Sequence, residues 1–290
     1  MMEYEGWTCD VYKSGDLELR ITRDIGPRIV YLSLDGKENL FHLIENEKGL
    51  KGGNDYRHYG GHRLWTTPED ISFTYHPEND PVLYEDGWYS SKIDARGLQK
   101  SIKIQVVPQG FLLYHKLKNL GTDTVSSSPW AITMLRPGGF GFFPNEKPVQ
   151  HGPNSFLPIR NISIWSYTKL NDPRLIFNDQ GTIVKQQSGS SSFKIGASVN
   201  EGWGAYYHND LVFLKTFSGA QDTYPDRGVN FEIYTDNNLL ETETTGTVRN
   251  LKPGDQVVCS EIWELFMCNE DRIYAECESR SIVSKGLLSI

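Results

Sequence analysis

The amino-acid sequence predicts an all-β protein, a sandwich of antiparallel strands with a short C-terminal helix. Three observations carry that expectation. Short stretches alternating between apolar and polar residues recur along the chain, the period of a half-buried strand. Turn residues separate them at close intervals, as at Pro108-Gln109-Gly110, Asn119-Leu120-Gly121 and Pro253-Gly254-Asp255. Helical periodicity is confined to Glu270–Arg280, with one further turn near Leu50.

Taken in order, the alternation appears first at Leu17–Ile21 and at Arg28–Leu34, which runs into the turn Asp35-Gly36. Ser101–Val107, Phe111–Asn119, Trp130–Leu135 and Ser163–Tyr167 are further strand candidates. Phe193–Val199, Trp203–Tyr207, Leu211–Phe217, Val229–Thr235, Leu240–Thr244 and Gln256–Phe266 complete the set. No linker interrupts the series, and all-β sandwiches often run to this length as one unit, so residues 1–290 read as a single domain. Two segments resist a strand reading: Asn54–Tyr89, rich in His, Tyr, Trp, Pro and Asp, and Pro137–Pro158, rich in Gly, Pro and Asn. Long loops in a compact domain usually serve a function, so a site is sought there first.

Composition excludes several classes of partner. The formal net charge of −8, with no basic stripe, argues against a nucleic-acid backbone, which needs clustered Lys and Arg. Met1–Asp10 is acidic and lacks the apolar run of a secretory signal. No stretch approaches the roughly 18 apolar residues of a membrane helix. Cys9, Cys259, Cys268 and Cys277 have neither CxxC spacing nor an adjacent histidine, which speaks against a zinc site and for reduced thiols. The expectation is a cytoplasmic protein without a zinc site.

Two polar clusters could carry chemistry. Tyr59–Glu69 reads YGGHRLWTTPE and places His62, Arg63, Trp65 and Glu69 beside a glycine pair. Sugars offer hydroxyls along their edges and C–H patches on their faces; planar polar groups and aromatic rings match these. An ion pair between Arg63 and Glu69 that merely holds a loop is the competing reading. Metal binding is a third, although His62 and His76 lack helical i, i+4 spacing. In Leu240–Gly246, LETETTG, Glu241 and Glu243 share one face of a strand. That face is either solvated or lines a pocket where cations such as Arg63, Lys215 or Arg227 answer the carboxylates. In the second case, a carboxylate with a tuned pKa can act as general base. Lys215, within an apolar strand, and Tyr224 beyond it are candidate donors to a substrate. His115 reads as structural, and His151 as a loop residue able to reach a site.

The ordered set of segments resembles the galactose mutarotase-like (aldose 1-epimerase-like) superfamily, and more closely its bacterial DUF4380-type branch. The resemblance rests on Gly26-Pro27-Arg28-Ile29-Val30 with Gly36–Phe41, on YGGHRLWTTPE, and on SPWAITML at Ser128–Leu135. It closes on LETETTGTVRNLKPGDQVVCSEIWELF at Leu240–Phe266. It implies a β-supersandwich that binds a small-molecule carbohydrate and needs neither cofactor nor metal. It places Glu241 at the catalytic base, Glu243 where many relatives carry glutamine, and Arg63 as the sugar-binding arginine. One departure stands out: the strand that carries the family's acid histidine reads Ser128-Pro129-Trp130-Ala131-Ile132-Thr133 here, without one. His62 or His151 then supplies the acid, or Lys215 or Tyr224 donates instead; His62 is the candidate taken, with Trp65, Glu69, Lys215, Tyr224 and Glu243 as substrate contacts. A sugar-binding protein without turnover is the alternative, and a polysaccharide-processing enzyme a more distant one.

Overall fold

Why the chain stacks into layers follows from where its apolar residues point. In a computed structural model, which describes residues 1–147, 152 and 156–288, two ten-stranded sheets pack face to face. The candidate His151 lies outside the described residues. The first sheet runs, neighbour to neighbour, Met2–Tyr4, Trp7–Ser14, Leu17–Thr22, Arg28–Leu34, His62–Thr66, Pro129–Leu135, Leu240–Thr245, Phe231–Thr235, Phe193–Ala197 and Ile162–Ile164. The second runs Leu175–Phe177, Gly181–Lys185, Phe140–Pro144, Trp203–His208, Leu211–Phe217, Gln256–Met267, Gly110–Asn119, Leu98–Val107, Trp88–Ile93 and Leu83–Glu85. A two-stranded ribbon, Val125–Ser127 with Arg249–Leu251, sits apart from both. This is the two-sheet antiparallel sandwich with a C-terminal helix that the sequence predicts.

Between the sheets, Leu64, Leu135, Phe231 and Ile233 of the first meet Phe111, Phe213 and Trp263 of the second. The Phe231 ring stacks on Phe217 at 5.6 Å and meets Phe143 edge-on at 5.9 Å. The C-terminal helix Ile273–Leu288 covers the outer face of the second sheet, where Ile273 and Cys277 join Phe142, Trp203, Val212, Leu214 and Phe266. No helix among the described residues is long and apolar enough to cross a membrane.

Three strands arise in segments expected to be loops: the exposed edge strand Leu83–Glu85, within Asn54–Tyr89, and two buried ones. His62–Thr66 lies within Asn54–Tyr89, and Phe140–Pro144 within Pro137–Pro158. Every residue of both buried strands is inside, yet each is only five residues long and sits in a segment rich in Gly, Pro and polar residues. Trp7–Ser14 and Trp88–Ile93 also escape the sequence reading, while Ser163–Tyr167 shrinks to Ile162–Ile164.

Phe231 is the tie between the layers. Phe231→Ala is expected to destabilise the protein by about 3–5 kcal/mol, the range for emptying a buried phenylalanine site. Urea unfolding followed by tryptophan fluorescence reads it directly; a loss under 1 kcal/mol would show that this contact does not hold the sheets together.

Candidate functional site

Successive side chains of a strand point to opposite faces, so the five central strands of the first sheet send half their residues outward, away from the second sheet. Across these strands, Arg63, Ile132, Glu243 and Glu232 stand in one cross-strand row. Met134, Glu241, Tyr234 and Lys194 form the next, and Trp65 faces Trp130 on the other side. Loops close over this face and leave a cavity of about 710 Å³. His58, Glu69 and Tyr75 come from one loop region, Trp165 and Tyr167 from a second, and Asp236 and Asn238 from a third.

The glycine pair that sequence singled out serves the approach to this face. Gly60 and Gly61 both have positive φ, and a Cβ on either would lie 2.2 or 2.3 Å from the carbonyl oxygens of His42 and Ile29. Buried Arg28 then pins the loop, donating through Nη1 to the carbonyl oxygens of His58 (2.9 Å) and Gly60 (2.8 Å). His58 is thereby held beside the cavity, where Tyr56 Oη lies 3.0 Å from its Nδ1.

Every acidic group on the floor is answered. Arg63 Nη1 donates to Glu241 Oε1 at 3.0 Å, and its guanidinium lies 4.3 Å over the Trp65 ring. Glu232 and Glu243 stand directly opposite each other, an arrangement that repels unless a cation intervenes. Lys194 intervenes: its Nζ lies 2.7 Å from Glu232 and 2.8 Å from Glu243, 4.6 Å from the ring centres of both Trp130 and Trp165. Trp130 Nε1 donates a further 2.7 Å bond to Glu243 Oε2.

Protonation follows from burial and these partners. Burial pushes the Glu241 carboxyl above the usual range, against Arg63, which draws it down. Burial raises Glu232 much further, opposed by Lys194 and reinforced by Glu243. For Lys194 burial acts against the charge, yet Glu232 and Glu243 together lift its pKa above the ordinary lysine value. Burial, helped by Arg63 and Arg28, pushes the His58 imidazole down to about 4, so it is neutral at physiological pH.

The sequence candidates divide. Glu241, Glu243, Arg63, Trp65 and Glu69 all line this cavity. His62 does not: one residue before Arg63, it points to the opposite face, into the sandwich. There its Nε2 lies 2.8 Å from His115 Nε2 and its Nδ1 2.9 Å from Thr133 Oγ1. Lys215 is also interior, 3.4 Å from Glu261 and from the carbonyl oxygens of Ala131 and Thr242, because its strand belongs to the second sheet and faces inward. Tyr224 borders a separate cavity of about 650 Å³, with Asp222 and Cys259, and donates to the Ala220 carbonyl oxygen at 2.8 Å. Sequence reasoning missed Lys194, Trp130 and His58 as cavity residues, and Glu232 behind the cavity wall. Lys194 carries the same signal as Lys215, a lysine within an apolar strand; only the sheet it joins separates them.

His62, His115 and Glu261 bring one ligand atom each within 4.8 Å of one another. The 2.8 Å between the imidazole nitrogens is a hydrogen-bond separation, and Glu261 already accepts from Trp263 Nε1 (2.8 Å) and Thr244 Oγ1 (2.6 Å). With Lys215 supplying the counter-charge of Glu261, this trio fits an interior hydrogen-bond network better than a cation site, though His115 Nδ1 is left without a hydrogen-bond partner among the described residues.

No family model matches the sequence, and no curated protein matches it. Solved structures do. An Escherichia coli K12 protein described as a candidate aldose 1-epimerase superposes with a TM-score of 0.60 at 10% identity, covering 91% of this chain and 100% of its own. A galactose mutarotase related enzyme from Lactobacillus acidophilus gives 0.55 at 8% identity, over 91% of this chain and 99% of that one. A galactose mutarotase-like protein from Lactobacillus casei gives 0.54 at 7%, over 89% and 100%. At such identities the likeness establishes the fold.

The Glu232–Lys194–Glu243 cluster makes stability depend on pH. The Glu232 pKa is raised in the native state above the ordinary glutamate value of 4.5, so the stability linked to its protonated form is full below about pH 4.5. That contribution is lost as pH rises toward the native value. Glu232→Gln removes this dependence. Urea midpoints from pH 5 to 8 are expected to move steadily in the variant's favour relative to the parent. A constant difference would show that Glu232 titrates alike in both states.

Proposed function

We propose that the cavity over the first sheet binds a monosaccharide and that the protein is a carbohydrate-active enzyme of aldose 1-epimerase type, with Glu241 as base. One observation carries the reading: two buried carboxylates, Glu241 and Glu243, lie on one cavity floor beside the packed indoles of Trp65 and Trp130. Apolar walls with a few convergent polar groups are the usual composition of a small-molecule site. The indoles suit the C–H face of a pyranose, and Arg63 and the carboxylates suit its hydroxyl edge. In this reading the chain falls within the DUF4380-type bacterial branch.

Glu241 takes the proton of the anomeric hydroxyl, the C1–O5 bond breaks, and O5 receives a proton. Rotation about C1–C2 and reclosure give the other anomer, with the protons returned. His62 is too far within the sandwich to donate to O5. The donor we assign is the Tyr75 hydroxyl of the cavity wall, which turns to O5 from the Glu69 carboxylate that it otherwise bonds at 2.5 Å.

A binding protein without turnover is the second reading. The observation that favours it is His58, which lines the cavity but, held near 4, is not an acid at neutral pH. Anomer exchange of a panel of 13C-labelled aldoses, followed by NMR, separates the two. For the enzyme, exchange of at least one sugar accelerates, and Glu241→Gln lowers it by roughly 10²–10⁴, the range for losing a general base. Saturable binding with unchanged exchange across the panel would leave the binding protein; neither binding nor exchange would remove both.

A further inference from the structure

We propose that the ligand of this cavity carries an ammonium group, making an amino sugar its preferred class; the inference rests on the sugar-site reading above. Four carboxylates line the cavity, those of Glu69, Asp236, Glu241 and Glu243, against two cations, Arg63 and Lys194. Both cations are spent. Arg63 is bonded to Glu241, and Lys194 is shared between Glu243 and Glu232, a fifth carboxylate just behind the wall. The imidazole of His58 adds no charge at neutral pH. Among the described residues, the cavity therefore holds an excess of negative charge and no uncommitted cation for a phosphate or a carboxylate.

The walls agree with the charge. Tyr75, Trp165, Tyr167 and Tyr234 join Trp65 and Trp130 around the cavity. Aromatic faces attract cations through their quadrupoles, and the protein's own cations already take the seats such an enclosure offers: Arg63 over Trp65, Lys194 between Trp130 and Trp165. Asp236 and Glu69 remain at the outer part of the enclosure without a basic side chain. Asp236 accepts from the backbone N–H groups of Asn238 (2.7 Å) and Leu239 (3.2 Å), and Glu69 from the Tyr75 hydroxyl (2.5 Å). An ammonium on the sugar would meet carboxylates on one side and aromatic rings on the other.

The test is calorimetric titration at pH 6, where a sugar amine is protonated, with three matched ligands for each of glucose, galactose and mannose. These are the parent sugar, the 2-amino sugar and its N-acetyl derivative, with the 6-phosphate as an anionic comparison. At least one amino sugar is expected to bind about tenfold more tightly than its parent and its N-acetyl form, with the 6-phosphate weakest. The preference should shrink as salt rises from 20 to 500 mM, where screening shortens to a few ångströms. Asp236→Asn combined with Glu69→Gln keeps the local hydrogen bonds while removing two charges, and should narrow the amine-to-acetyl ratio. Parent sugars binding as tightly as amino sugars, or 6-phosphates binding best, would overturn the amine preference while leaving the sugar site in place. Failure of every sugar to bind would overturn the sugar site and the amine preference with it.

Discussion

Alternation of side chains across the first sheet is the constraint on which the rest of the molecule depends. Each central strand must feed the apolar core on one face and a polar cavity on the other, and a period of two is what allows it. His62 and Arg63 are the sharpest case. Neighbours in sequence and both buried, they serve different compartments, the first the sandwich interior and the second the cavity floor. A shift of register by one residue would exchange them, placing the guanidinium among Phe213 and Trp263 and the imidazole beside Glu241. Cross-strand pairing of Arg63 with Ile132, and of Ile132 with Glu243, fixes that register over three strands at once.

Packing charged groups onto such a face is costly unless each is answered, and the answer here comes from across the sheet. Glu232 and Glu243 oppose each other directly; Lys194, offset by one row, reaches both. Removing one partner of a buried network leaves an uncompensated charge, at a cost of about 3–5 kcal/mol. The cluster's order therefore follows from electrostatics as much as from packing. It also holds the Trp130 indole by a hydrogen bond and by contact with the ammonium, so one lysine fixes both a carboxylate and an aromatic wall.

Much of this was legible in the sequence, though unevenly. Arg28–Leu34 and Leu211–Phe217 emerge with the boundaries their apolar runs suggest, although nearly every residue of both is buried. His62–Thr66 and Phe140–Pro144 do not emerge from the sequence, because they are only five residues long and sit inside segments rich in Gly, Pro and polar residues. At the cavity, the spacing of Glu241 and Glu243 reveals a shared face, and the same rule applied to His62 and Arg63 separates them once Arg63 is assigned outward. Which lysine answers the glutamates was not legible. Lys194 and Lys215 both interrupt apolar strands, and only the pairing of distant strands sends one to the cavity and the other to the interior.

The interior lysine still bears on the cavity. Lys215 contacts the carbonyl oxygens of Ala131 and Thr242, which belong to the strands that present Trp130, Ile132, Glu241 and Glu243. Its charge is held by Glu261, which in turn accepts from Thr244 of the cavity strand and from Trp263 of the opposite sheet. Beneath the cavity floor there is thus a hydrogen-bonded layer spanning both sheets. Hydrocarbon would fill that space with less directional constraint, since apolar contacts tolerate small shifts that hydrogen bonds do not. A floor whose carboxylates must sit within hydrogen-bond distance of Arg63 and Lys194 gains from a foundation of the same kind. The polar interior and the polar cavity, separated by a single sheet, are two faces of one positional requirement.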